Sequence, residues 1–123
     1  MTTLTEGKHA GGFLVWEVLR DYTRETATIS SGAGMLEPGT VLGKITTGGK
    51  YTVLTPGASN GSQNAAGILW AGVNATDADA LGVIILRGPA IVNRHEIVWP
   101  EGATEAQITT ATTALAALGI ILR

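Results

Sequence analysis

WPEGATEAQITTATTALAALGIILR, Trp99 to Arg123, is the stretch on which the fold turns. Pro100 ends the preceding EIVW run, because proline has no N–H to give a strand ladder. Thr104-Glu105-Ala106-Gln107 then predicts a helix start: a hydroxyl at the N-cap and an amide three residues on that can bond back to it. Glu105 places negative charge at the positive end of the helix dipole, a contribution of about 0.3–1 kcal/mol. Ile108, Ala111, Leu115 and Leu118 recur at helical spacing and predict one narrow apolar stripe. Gly119 sits where a left-handed residue ends a helix, and IIL resumes as a strand. The helix is therefore expected to connect two strands and to lie as a lid on one face of a sheet.

Upstream, the signals are those of short strands. FLVWEV (Phe13–Val18) and Thr26–Ile29 read as β, separated by a charged run over Arg20–Glu25. SSGAG (Ser30–Gly34) is a glycine–serine joint and is taken as a boundary. The chain is thus divided into an N-terminal arm, residues 1–34, and a compact β-rich body, residues 35–123. Met1–Gly12 reads as a flexible terminus.

In the body, Pro38-Gly39 suits a turn, TVLGKIT reads as a strand with a bulge at Gly43, and Gly48-Gly49 closes a hairpin onto KYTVL. Thr55–Gly67 is a polar loop and ILWAGVNA (Ile68–Ala75) a strand. LGVIILR is expected to be the most buried strand, since its apolar run is nearly continuous. After the Gly88-Pro89 turn, AIVN and EIVW read as two further strands. The fold class that follows is mainly β with one C-terminal helix and an extended N-terminal arm.

A chain of 123 residues, 45% hydrophobic, is long enough to bury one modest core. Its apolar mass is mostly Ala, Val, Ile and Leu, so a shared subunit interface would add usefully to that core. The net charge of −2 offers no electrostatic footprint for nucleic acid. There is no cysteine, which removes disulfides and thiolate metal sites. No apolar signal segment opens the chain, and Ala106–Leu122 is interrupted by four threonines and a glycine, short of the ~20 apolar residues a membrane helix needs. A soluble protein without nucleic-acid or membrane partners is expected.

Catalytic constellations are sparse. His9 and His95 lack a second ligand at zinc spacing. Asp77 and Asp79 form a D-x-D, but the twelfth position of a calcium loop counted from Asp77 is Gly88, so an acidic surface turn is the better reading. Gly57-Ala58-Ser59-Asn60-Gly61 satisfies G-x-S-x-G, and a triad of Ser59, Asp79 and His95 can be written. The polar loop around Ser59 lacks the strand and helix that a nucleophile elbow requires. Trp16, Trp70 and Trp99 lie in separate segments and read as core or interface anchors. No catalytic, metal or cofactor site is expected, and the chain is not read as an enzyme.

Several segments together, PGTVLGKIT, GILWAGVNATDAD, RGPAIVNRHEIVWPEGAT and the closing GIILR, resemble the head decoration protein D family of lambda-like tailed phages. The likeness covers Met35 to Arg123 and is strongest at Gly67-Ile68-Leu69 and Val98-Trp99-Pro100-Glu101. The resemblance implies a small β-clip or barrel-like domain that forms a homotrimer on the outer surface of the expanded phage head. There it would bind the major capsid protein and stabilise the shell against internal DNA pressure. The stretch FLVWEVLRDYTRETATI departs from the family pattern in being longer and more apolar. The arm, Gly12–Ile29, is expected to pair with the edge of a major-capsid strand, with Phe13, Val15, Trp16 and Ile29 as its contacts; the other reading is that this segment simply supplies the first strands of the body. The alternative is a carbohydrate- or fibre-type binding module that stacks ligand on Trp16, Trp70 or Tyr51.

Overall fold

The computed structural model describes residues 9–123. Strands β1 (Leu14–Glu17) and β2 (Arg24–Ile29) flank a single helical turn, α1 (Arg20–Thr23). Then come β3 (Gly34–Leu36), β4 (Val41–Lys44), β5 (Tyr51–Val53), β6 (Ala65–Leu69), β7 (Val73–Ala75), β8 (Ala80–Ile85) and β9 (Ala90–Val92). Helix α2 (Glu105–Ala117) and β10 (Ile120–Leu122) close the chain. The architecture is mainly β with one C-terminal helix, as the sequence predicts.

Strands β2, β5, β4, β6 and β8 close into a barrel in that order. An open sheet, β1–β9–β10, and a two-stranded ladder, β3–β7, stand outside it. Three of the barrel strands, β4, β6 and β8, carry two buried faces. Leu42, Leu69 and Ile84 join Ile29 and Tyr51 in one apolar cluster, which fills the barrel. Their sequence neighbours Val41, Ile68 and Ile85 point the other way, into a second cluster with Phe13, Val92, Leu115 and Ile120 beneath the open sheet and α2. Side chains alternate along a strand, so two buried faces produce adjacent apolar residues in the sequence. This explains the run in LGVIILR. That strand is nonetheless less covered than β6, because Leu81 is exposed while four of the five β6 residues are buried.

Helix α2 begins and ends as its local chemistry dictates. Gln107 N–H donates to the Thr104 hydroxyl at 3.2 Å, and the Gln107 side chain accepts from Thr104 N–H at 3.0 Å. Gly119 adopts φ +89° and its N–H bonds the Ala116 carbonyl at 2.9 Å. Ala111 and Leu115 are buried, with Ile108 and Leu118 half-buried beside them. The helix is the crossover between β9 and β10, which pair in parallel as Ala90↔Ile120, Ile91↔Ile121 and Val92↔Leu122.

Gly48 and Gly49 close the β4–β5 hairpin, and the β4–β6 register shifts between Leu42 and Gly43, where the bulge is predicted. A Cβ on Gly43 would collide with the Ser62 backbone. Two predicted strands differ. ILWAGVNA is not one strand: the chain bends after Leu69 and resumes as β7. EIVW is not a strand either. Arg94–Glu96 forms a 3-10 turn, capped by Asn93, whose side chain accepts the His95 N–H, and Val98 makes a single bridge to Thr40.

The N-terminal segment departs most from expectation. For residues 1–8 the predicted flexible terminus lies outside the described residues. From Gly11 onward the chain is built into the body. Gly11 N–H donates to the Trp70 carbonyl at 2.9 Å, and β1 pairs with β9. β2 is a barrel stave in register with β8 from Arg24↔Ile85 to Ile29↔Ala80. Across the expected joint, Gly32 N–H bonds Ala75 O at 2.7 Å and Ser31 N–H bonds Asp79 at 2.8 Å.

Candidate functional site

The four residues expected to touch a capsid partner separate into two pairs. Phe13 and Ile29 are core residues, 2% and 0% exposed, so neither side chain lies on the surface where a contact was expected. Phe13 meets the Trp70 ring edge-on with centroids 6.2 Å apart, and Ile29 lies opposite Ala80 within the barrel ladder. Val15 and Trp16 are 63% and 50% exposed.

Their exposure has a local cause. Leu14 faces Val92 and Trp16 faces Ile91, so Val15 is an extra residue in β1, a β-bulge. On the same row of the open sheet, Trp16 is followed by Ile91 and then Ile121. The adjacent rows, Glu17–Ala90–Ile120 and Leu14–Val92–Leu122, carry the residues that face the core, Ala90, Val92 and Ile120 among them. Trp16, Ile91 and Ile121 therefore form an apolar row on the outer face, with Val15 beside it and the exposed Val18, Leu19 and Tyr22 following in sequence. Ile91 and Ile121 were not legible as surface residues, since their positions depend on pairings between distant segments.

Beneath that row the strand is anchored by polar contacts. The Glu17 carboxylate accepts from the Thr23 hydroxyl at 2.5 Å, from Arg24 Nε at 3.3 Å and from Arg24 Nη2. The Arg24 guanidinium stacks 3.4 Å from the Trp70 ring centroid. Trp70 is thus enclosed by Phe13 and Arg24, and Tyr51 is buried. Of the three aromatic residues named for ligand stacking, Trp16 alone is open.

The written triad is not assembled. Asp79 is held elsewhere: Lys50 Nζ donates to one carboxylate oxygen at 2.5 Å and Ser31 N–H to the other. The Lys50 hydrogen bond, reinforced by Ser31, keeps the Asp79 carboxyl below its usual range. Ser59 is exposed in the polar loop, and His95 is exposed in the 3-10 turn. Among the described residues no group of three or more His, Asp or Glu side chains is placed to hold a metal ion. The groove between α2 and the 54–65 loop, about 340 Å³, is lined by Leu54, Pro56, Ala111 and uncharged neighbours. No described helix is long and apolar enough to cross a membrane.

The geometry thus presents a closed barrel and an open sheet with an outward apolar row. The family model for bacteriophage lambda head decoration protein D matches residues 3–120. The chain belongs to this family. Comparison with curated protein sequences returns no match. Membership makes the chain a structural component that decorates the bacteriophage head, associated with the capsid in the virion. This is not an enzyme family.

Proposed function

We propose that the chain is a capsid cement: it binds the outer surface of the expanded head as a homotrimer and braces neighbouring major capsid subunits against internal DNA pressure. Family membership supports the setting, and one observation in this chain supports the contact. The row Trp16–Ile91–Ile121, with Val15, is a solvent-facing apolar strip on an open sheet whose edges are β1 and β10. A half-exposed tryptophan among aliphatic residues has the composition of an interface anchor. The docking contacts are Val15 and Trp16 of the original four. A capsid segment can lie along this row or add to the β1 edge through main-chain hydrogen bonds. Trimerisation is favoured by a core built mainly of Ala, Val, Ile and Leu, to which burial between copies would add. Neither nucleic acid nor membrane has a part in this reading.

The test compares binding to purified phage heads before and after expansion. The wild-type chain binds expanded heads selectively, and Trp16→Ala weakens that binding by about 30-fold or more, the loss expected for an interface anchor. Equal binding of Trp16→Ala and wild type removes the docking face. Sedimentation of the free and head-bound chain reads the oligomer separately.

A further inference from the structure

The bulge at Val15 inverts the polarity of β1. In an unbulged strand with Leu14 inward, Val15 would point out, Trp16 in and Glu17 out. The extra residue reverses the last two: Trp16 is half exposed, while the Glu17 side chain retains only 11% of its accessible surface. Apolar burial favours the opposite register, because an indole gains much from leaving water and a desolvated carboxylate loses. The groups facing Glu17 supply the compensation.

We infer that Glu17 and Arg24 are positioning residues that hold β1 in its bulged register and so keep Trp16 on the outer face. Thr23, fully buried, brings its hydroxyl to the carboxylate, and Arg24 reaches both carboxylate oxygens. Arg24 is itself fixed against the Trp70 ring, whose backbone N–H is bonded to the Val83 carbonyl at 2.8 Å. The anchor thus runs from the barrel, through Trp70 and Arg24, to the carboxylate of β1. With that carboxylate neutralised, the register that turns Trp16 inward gains on the one that turns it outward. Glu17 and Arg24 act through Trp16, and the functional consequence rests on the proposed docking face.

The test uses the full chain labelled with 6-fluorotryptophan, which gives three fluorine signals assignable by single Trp→Phe variants. In Glu17→Gln the Trp16 signal is expected to shift or split and to lose much of its solvent isotope effect. Amide exchange in β1 and β9 should accelerate by at least about tenfold, with β4 and β6 unchanged. Binding to expanded heads should fall by a similar factor. Arg24→Lys, which keeps the charge but not the planar fork, should give an intermediate result. A Trp16 signal and β1 protection unchanged from wild type in Glu17→Gln overturn the inference. So does exchange that accelerates equally through the barrel, or failure of both variants to fold, since either makes the pair a general stabiliser. If Trp16→Ala binds heads normally, the docking face is lost, while the fluorine and exchange measurements still decide the register.

Discussion

Replacing Leu115 by alanine probes the joint between helix and sheets. Leu115 is 0% exposed and belongs to the cluster with Ile68, Ile85, Ala111 and Ile120, so barrel wall, open sheet and helix meet at its side chain. Truncation removes three carbons, a transfer loss of about 2 kcal/mol at ~0.8 kcal/mol per buried methylene. Its neighbours are pinned by the barrel ladder on one side and the parallel β9–β10 pairing on the other, so the site should collapse only in part. A residual cavity of ~40–80 Å³ at about 24 cal/mol per Å³ adds roughly 1–2 kcal/mol. The total is about 3–4 kcal/mol. For a chain of this length the unfolding entropy near 60 °C is about 0.26 kcal/mol/K, so the melting temperature should fall by roughly 12–15 °C. Calorimetry at one fixed protein concentration reads this without interference from any change in oligomer population. Leu81→Ala is the control, because Leu81 is 73% exposed and its truncation should stay within about 0.5 kcal/mol of wild type. A Leu115→Ala shift no larger than that of Leu81→Ala refutes the packing described for α2.

Four further outcomes are expected. Gly43→Ala drives a Cβ into the Ser62 backbone and should cost about 1–3 kcal/mol by denaturant titration. Thr104→Ala removes the hydroxyl half of the capping box and should cost about 0.5–2 kcal/mol, read from the same titration. Deleting residues 1–29 removes the β2 stave and should leave the chain unfolded by circular dichroism; a folded truncated barrel would contradict the β2–β8 register. Because Lys50 and Ser31 lower the Asp79 carboxyl below its ordinary value of 3.8, their contact stabilises the fold above that pH and is lost as acid protonates the group. The melting-temperature gap between wild type and Asp79→Asn should therefore narrow as pH falls below about 3.8, and a gap that widens instead has the wrong sign.

Local chemistry made some elements legible and long-range pairing hid the others. The helix could be read because Thr104, Gln107 and Gly119 act within a few residues of one another. The β4–β5 hairpin could be read because Gly48 and Gly49 supply the positive φ its turn uses. EIVW misled, since its apolar residues look like a strand while the Asn93 side chain, by accepting the His95 N–H, bends the backbone into a 3-10 turn. The N-terminal segment misled for a different reason. FLVWEV is apolar at odd and even positions alike, so alternation cannot say which face is inward, and its partner β9 lies some seventy residues downstream. Taking it for an arm followed from the missing partner. Phe13 and Ile29 were named as contacts on that preference for an arm over the first strands of the body, and the exposure of Val15 and Trp16 rests on a bulge that only the pairing with β9 reveals.

The distribution of edges ties these features together. A closed barrel uses the hydrogen-bonding edges of its own strands, and its strands in this chain are covered on both faces where β4, β6 and β8 pass beneath the open sheet and helix. The open sheet differs, since it has β1 and β10 as edges and an outward row that α2 does not cover. A chain selected for solitary stability would be expected to place Glu17 outward and Trp16 inward at this sheet. The observed register does the reverse and holds the carboxylate with Thr23 and Arg24. Those contacts hold the outward register in the isolated chain, and covering Trp16 against the proposed partner would lower the free energy further. By this reasoning the open sheet is the element through which the proposed contact with the shell would be made. Occupation of the outward row should protect β1 and β9 amides from exchange by more than it protects β4 or β6, and uniform protection on head binding would place the contact elsewhere.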